Sequence, residues 1–476
     1  MELWQHSASD LARMIAARVV APSEVMAAHL DRIAAVNGAV NAVVSLRDRD
    51  VLMAEARAAD DAAPTGWLHG LPMAVKDLCA VKGVRTTWGS PLFADHVPAK
   101  DDLLAARMRA AGAVFIGKTN TPEWGHGSHS FNPVFGVTRN PYDLSRTAGG
   151  SSGGAAAGLA ARMLPVADGS DMMGSLRNPA GFCNVYGFRP SWGLVPGDAE
   201  GDTFLATLAT EGPMGRTVED VARLLAVQAG ENPEVPFGRP VEDYVAGLDR
   251  DLGGVKIGWL GDWGGAYAME PGIVELCETA LRQFEEMGAV VETLPPPFPA
   301  EKLWQSWVTL RAMLNAGAFR AIHDDPAKRA LLKPETLWEI EQGRNLTAAA
   351  VHEASVVRSR YYAHMARLFS KVDFIALPVA HVWPFPAEWR WPQAIGGRAM
   401  DTYHRWMEVV IPISLIGLPA LSVPVGFGPQ GLPMGMQLAG PVGADAKVLA
   451  LGQGWHRATD WPSRRPPALD GGAAAG

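Results

Sequence analysis

The amino-acid sequence predicts an α/β fold, and three observations carry that expectation. From Gly70 onward, short apolar runs bounded by glycine alternate with segments of helical spacing; residues 71–75, 113–116 and 163–167 read as strands. A strand, helix, strand unit then spans residues 255–260, 273–287 and 290–294, closed by Pro295, Pro296 and Pro297. Finally, 48% of the 476 residues are hydrophobic and only 19% are charged, so the chain can bury a large core.

Each element has a local cause. Ser7 precedes Leu11, Met14 and Ile15 at helical spacing, with Asp10 three residues after it as in a capping box. Pro22 and Ser23 open a second helix carrying Val25, Leu30 and Ile33. The Ala/Gly run at 155–161 predicts a buried, tightly packed helix, and Thr217 with Asp220 caps another over 218–227. Residues 301–370 read as helical and tryptophan-bearing, followed by strands at 374–378, 421–426 and 434–439. Residues 144–148 read as no strand, and the Gly-Ala tail at 471–476 is expected to fray. One domain over 1–470 is expected, with a helical part at 1–65, a core at 66–230 and an α/β part at 231–300. A variable helical region at 301–400 and terminal strands with a helix at 401–470 complete it.

Composition narrows the function. A net charge of −8 without a long basic run argues against nucleic acid or an anionic membrane as partner and favours a small neutral ligand. Cys79, Cys183 and Cys277 are odd in number and widely spaced, with no metal-ligand pattern, which suits a reducing cytoplasm. Residues 1–10 lack the regions of a signal peptide, and no run of eighteen apolar residues follows, so a soluble protein is expected, monomer or homodimer.

Three segments pair a reactive side chain with glycine: Gly70-Leu-Pro-Met-Ala-Val-Lys76-Asp77, Gly149-Gly-Ser151-Ser152-Gly-Gly154, and Gly169-Ser-Asp171-Met172-Met173-Gly174-Ser175-Leu-Arg177. A lysine ending an apolar strand sits in low-dielectric surroundings, which disfavour its charged form and make it a base. A serine hydroxyl needs such a base to become a nucleophile, and a second serine can relay the proton because a hydroxyl both donates and accepts. Small residues around Ser175 leave successive backbone N–H groups to stabilise an oxyanion.

These segments resemble the amidase-signature family in order and separation. Further matches are Gly117-Lys118-Thr119-Asn120, Gly187-Phe-Arg-Pro-Ser191, Gly212-Pro-Met-Gly-Arg-Thr217 and Gly431-Leu-Pro-Met-Gly435. The resemblance implies a large mixed central β-sheet flanked by helices on both faces, and amide-bond hydrolysis without metal or cofactor. It implies that Lys76 deprotonates Ser151, that Ser151, at a cis peptide bond, activates Ser175, and that Ser175 forms an acyl-enzyme. The backbone N–H groups of Met172, Met173, Gly174 and Ser175 would form the oxyanion hole. Family members carry a smaller residue where this chain has Met173. A positive φ there would strain methionine, whereas a negative φ leaves its N–H usable and its side chain narrowing the pocket; the second is expected.

Ser152 is read as a cap of the following helix, Asp171 and Arg177 as hydrogen-bonded supports of the Ser175 loop, and Lys118 as structural. Trp124, His126, His129, Met172, Met173, Trp304 and Trp307 are candidate pocket residues, and with no obvious charged clamp they suggest an apolar or aromatic substrate. Expected substrates are aryl or alkyl amides, anilides and carbamates. His126 and His129 lack a third ligand and are not read as a metal pair. Three other readings compete. Gly112 to Thr119 spells a Walker A loop, but its middle is an apolar strand. Gly149 to Gly153 spells the nucleophile elbow of an α/β-hydrolase esterase, with Asp373 and His381 or His404 as partners. A glutamine-hydrolysing component of an amidotransferase is the third, and a non-catalytic binding module is disfavoured by the complete triad.

Overall fold

The computed structural model describes residues 2–469; the tail at 471–476 lies outside them. The first two helices, Ala8–Ala16 and Pro22–Val40, start where their caps predict, and the Ser7 hydroxyl accepts from the Asp10 N–H at 3.0 Å. A small three-stranded sheet follows, made of β1 (Val43–Val44), β2 (Pro72–Lys76) and β3 (Val114–Thr119) in the order β1-β3-β2. Strands β2 and β3 run parallel and are buried along their whole length, which is why their sequences are nearly continuous apolar runs.

The main sheet holds eight strands: β4 (Val166–Asp171), β5 (Tyr186–Arg189), β6 (Thr210–Gly215), β7 (Lys256–Trp259), β8 (Val290–Thr293), β9 (Phe374–Pro378), β10 (Ala420–Phe427) and β11 (Pro433–Ala439). Their order is β8-β7-β9-β11-β10-β5-β6-β4, parallel among β7, β8 and β9 and antiparallel elsewhere. This is the large mixed sheet the resemblance implies. Leu421 and Ser422 are successive residues of β10 and so face opposite sides. The helix Asp445–Thr459 covers the Leu421 side, where Gly452 abuts the leucine side chain. The helix Arg177–Phe182 covers the other, where a Cβ on Gly181 would stand 3.0 Å from the Gly435 nitrogen and one on Gly435 3.0 Å from the Ser422 hydroxyl. Helices therefore pack on both faces. Helix-forming segments between 301 and 370 resolve into five helices, the longest Ala300–Ala318 and Ala348–Leu368.

Two expectations shift. The strand expected at 163–167 begins later, at Val166, because Met163 and Leu164 still donate to the Gly158 carbonyl of the preceding helix and Pro165 has no donor. Residues 144–148, expected to be no strand, do contain one: Asp143–Thr147 pairs with Arg139–Asn140 in a separate two-stranded ribbon. Its half-exposed polar residues hide the strand signal, since neither face is fully buried.

Candidate active site

Lys76 ends β2, and its backbone N–H donates to the Asp168 carboxylate of β4 at 3.2 Å, which fastens the small sheet to the edge strand of the large one. Asp168 is fully buried, as is the Lys76 side chain, so each depends on hydrogen-bond partners within the protein. The Lys76 Nζ donates to the hydroxyls of Ser151, Ser152 and Ser170, each at 2.8 Å. Three hydroxyl acceptors match the three N–H bonds of an ammonium, and once the amine loses its proton one hydroxyl must turn and donate to the nitrogen. Ser152 donates to the Ser170 carbonyl at 3.3 Å, which leaves Ser151 and Ser170 freer to turn. Burial lowers the Lys76 pKa from the ordinary lysine value, and the carboxylates of Glu211, Asp168 and Asp171 oppose that shift.

Ser151 follows a cis peptide bond from Gly150 and precedes the wholly buried helix Gly153–Ala160. Ser152 occupies the N-cap position of that helix but does not cap it through its side chain, which corrects its expected role. Its hydroxyl is drawn to Lys76, and the Ser130 hydroxyl accepts from the Gly153 N–H at 3.1 Å instead. The Ser152 N–H donates to the Ser175 carbonyl at 3.2 Å, joining the two serine loops.

Ser175 sits in a turn between β4 and the helix Arg177–Phe182. The positive φ this turn needs, +80°, falls on Gly174, and neither Met172 nor Met173 is among the described non-glycine residues with positive φ. Asp171 lies under the turn: its carboxylate receives Arg177 Nε and Nη2 at 3.0 Å each and Arg189 Nη1 at 3.1 Å. Burial alone would raise the Asp171 carboxyl, but the two guanidiniums and the Gly174 N–H hold it well below the usual carboxylate range. That Gly174 contact, 2.8 Å long, corrects the fourfold oxyanion hole, because the Gly174 N–H is already engaged. The N–H groups of Met172, Met173 and Ser175 have no protein acceptor among the described residues.

Ser151, Ser170 and Ser175 open on one cavity of about 250 Å³. No hydrogen bond joins the Ser151 and Ser175 hydroxyls among the described residues. Leu78, Trp124, Met172, Met173, Phe319 and Met407 give the cavity its apolar wall, and His126 reaches it while bonding Thr336 at 2.9 Å. His129, Trp304 and Trp307, expected at the pocket, are elsewhere. His129 is clamped between the Ala387 carbonyl at 2.9 Å and the Thr147 hydroxyl at 2.7 Å. Trp304 and Trp307 lie in the core, on the stripe of helix Ala300–Ala318 that reaches the cavity one turn beyond Trp307, with Arg311 and Asn315.

Arg311, Asn315, Ser170 and Glu211 are cavity residues that sequence reasoning missed. A charged side chain on the Trp304 and Trp307 stripe, and an acid directly before Gly212 at a strand start, were the available signals. The expectation of no charged group is thus corrected, although Arg311 is neutralised by Glu339 at 2.5 Å and also donates to Tyr403 at 2.9 Å. The esterase reading finds no support. His381 is held by the Ala268 carbonyl and the Val409 N–H at 2.8 Å each, Asp373 accepts from the Lys256 N–H, and neither they nor His404 line the cavity. A larger groove of about 570 Å³ between Trp383 and Trp389 contains none of these serines. Among the described residues no helix is long and apolar enough to cross a membrane.

Comparison with known proteins assigns the chain to a family. The chain is 34% identical to a glutamyl-tRNA(Gln) amidotransferase subunit of Moorella thermoacetica, over 98% of this chain and 99% of that one. It is 31% identical to an acylamidase of Rhodococcus erythropolis, over 97% of each. Among solved structures, a bacterial aryl acylamidase of the amidase-signature family superposes with a TM-score of 0.89 at 29% identity, covering 97% of this chain and 99% of that one. A 6-aminohexanoate cyclic dimer hydrolase superposes with a TM-score of 0.87 at 25% identity, covering 99% and 100%. The family model for amidases matches residues 24–449, and the chain belongs to the amidase-signature family.

Proposed function

We propose that the protein is an amidohydrolase that cleaves the C–N bond of a small, largely apolar amide, anilide or carbamate through an acyl-enzyme on Ser175. The observation that carries this reading is the buried Lys76 amine, one hydrogen bond from the Ser151 hydroxyl, which shares a cavity with Ser175. The neutral amine takes the Ser151 proton while Ser151 takes that of Ser175, and the Ser175 oxygen attacks the carbonyl carbon. The oxyanion receives the N–H groups of Met172, Met173 and Ser175, each worth roughly 3 kcal/mol of barrier. The C–N bond then breaks, Ser151 protonates the leaving nitrogen and regains its proton from Lys76, and water releases the acyl group by the same relay.

The apolar wall favours a neutral substrate, because a charged one would be desolvated there with few partners. A second reading has one specific observation behind it: Glu211, whose side chain makes no hydrogen bond among the described residues, reaches the cavity and offers an anionic partner to the ammonium group of an amino-acid amide such as glutamine. A panel of anilides, carbamates and glutamine, with aniline and ammonia release followed separately in wild type and Ser175→Ala, tests both. Fastest turnover of an anilide or carbamate, abolished in the variant, is expected. Glutamine as the best substrate overturns the first reading in favour of the second.

A further inference from the structure

Lys76 makes three hydroxyl contacts, and the proposed relay uses only the one to Ser151. The contact to Ser170 leads elsewhere. Ser170 of β4 stands directly opposite Glu211 of β6 in the antiparallel register, so their side chains project from the same face with Cβ atoms about 4.5–5.5 Å apart. Both line the cavity. Among the described residues the Glu211 side chain accepts or donates no hydrogen bond, although every other carboxylate near the lysine is engaged. Asp168 accepts from the Lys76 backbone, Asp171 is held by Arg177 and Arg189, and Asp77 is held by Thr87.

We infer that Glu211 is a positioning residue: its carboxyl, opposite Ser170 on the cavity wall and out of direct contact with Lys76, favours the charged form of the amine that Ser170 binds, and so helps decide how alkaline the medium must be before the amine is free to act as base. The inference rests on the proposed role of Lys76. It fits the electrostatics, since burial pushes the Glu211 carboxyl up, Lys76 pulls it down, and Glu211 is the foremost of the charges opposing the burial-driven fall of Lys76. Other charges face the pair from each neighbouring element. Asp168 and Asp171 belong to β4, Lys118 of β3 donates to the Cys79 carbonyl, and Asp102 faces Glu211 from the segment before helix Leu103–Ala110. Across the cavity, Arg311 is neutralised by Glu339, and burial holds His126 uncharged, its pKa lowered to about 3. Glu211 is the carboxyl among these without a hydrogen-bond partner, so its removal changes the charge around Lys76 and leaves the other pairs intact.

The test reads nucleophile activation without needing the natural substrate: the rate at which a fluorophosphonate labels Ser175, measured against pH in wild type, Glu211→Gln and Glu211→Asp. The wild-type rate rises with pH. In Glu211→Gln the acid limb is expected to move about one pH unit lower, because an opposite charge beside the amine is lost. Glu211→Asp is expected to bring the limb back toward wild type, which a structural effect alone does not do. Should Glu211→Gln fail to fold, Glu211→Met removes the carboxyl without burying an amide and is read in the same way. Superimposable profiles of wild type and the uncharged variant overturn the inference. Failure of the wild type to label at Ser175, or labelling that ignores pH, overturns instead the proposed relay on which it rests.

Discussion

Lys76 touches Ser151 and Ser152 at the same distance, so the contact itself does not say which serine carries the proton. Their surroundings do. Ser151 opens on the cavity that Ser175 reaches, whereas Ser152 is fully enclosed and already bonded to Ser170. Ser151→Ala is therefore expected to lower kcat/KM by about 10²–10⁴-fold, the range for losing a proton-transfer group. Ser152→Ala, which removes only an acceptor from the ammonium, is expected to cost about tenfold. Equal losses in a steady-state assay would reverse the assignment. Lys76→Met should match Ser151→Ala. The sign of the pH dependence follows from the amine: burial lowers its pKa, activity requires its neutral form, and the wild-type rate should climb as pH rises toward the ordinary lysine range.

The turn that carries Ser175 is an element organised around one carboxylate. Asp171 gathers two arginines and the N–H groups of Gly174 and Leu176, all in the dry interior between β4, β5 and the helix Arg177–Phe182. Removing its charge leaves two guanidiniums without their counter-ion, and Asp171→Asn is expected to destabilise the protein by about 3–5 kcal/mol, read as a lower urea midpoint. The folded carboxyl titrates below its unfolded value, so this contribution is present above about pH 4 and is lost as pH falls further. Asp171→Asn should accordingly show a flatter decline of stability in acid than wild type. A variant as stable as wild type at neutral pH would show that the turn is held by other means.

At the scale of the molecule, the site exists because two sheets and one small-residue helix meet. The helix Gly153–Ala160 packs so closely on the small sheet that a Cβ on Gly154 would lie 2.7 Å from both the Ala42 and Asn120 carbonyl oxygens. Gly154→Ala is expected to cost about 1–3 kcal/mol by overpacking and, by shifting Ser151 and Ser152 away from Lys76, to lower activity as well; thermal unfolding and kcat measure the two. Much of this was legible in the chain. Caps at Ser7 and Thr217, the prolines after residue 294, the apolar strands and the three glycine-bearing segments each depend on residues within a few positions, so local sequence determines them. Lys76, Ser151 and Ser175, the residues of the proposed relay, were visible for the same reason. The cavity wall was not. Trp304, Trp307, Arg311 and Asn315 share one helical stripe, and which of them meets core and which meets cavity depends on where the helix lies against the rest of the fold. Glu211 gained its neighbours only when β6 paired with β4. What the sequence determined by itself was the residues of the proposed chemistry and the elements that bear them. The tertiary structure alone decided which side chains surround that chemistry, because burial and pairing between residues distant in the chain are set by packing rather than by any local pattern.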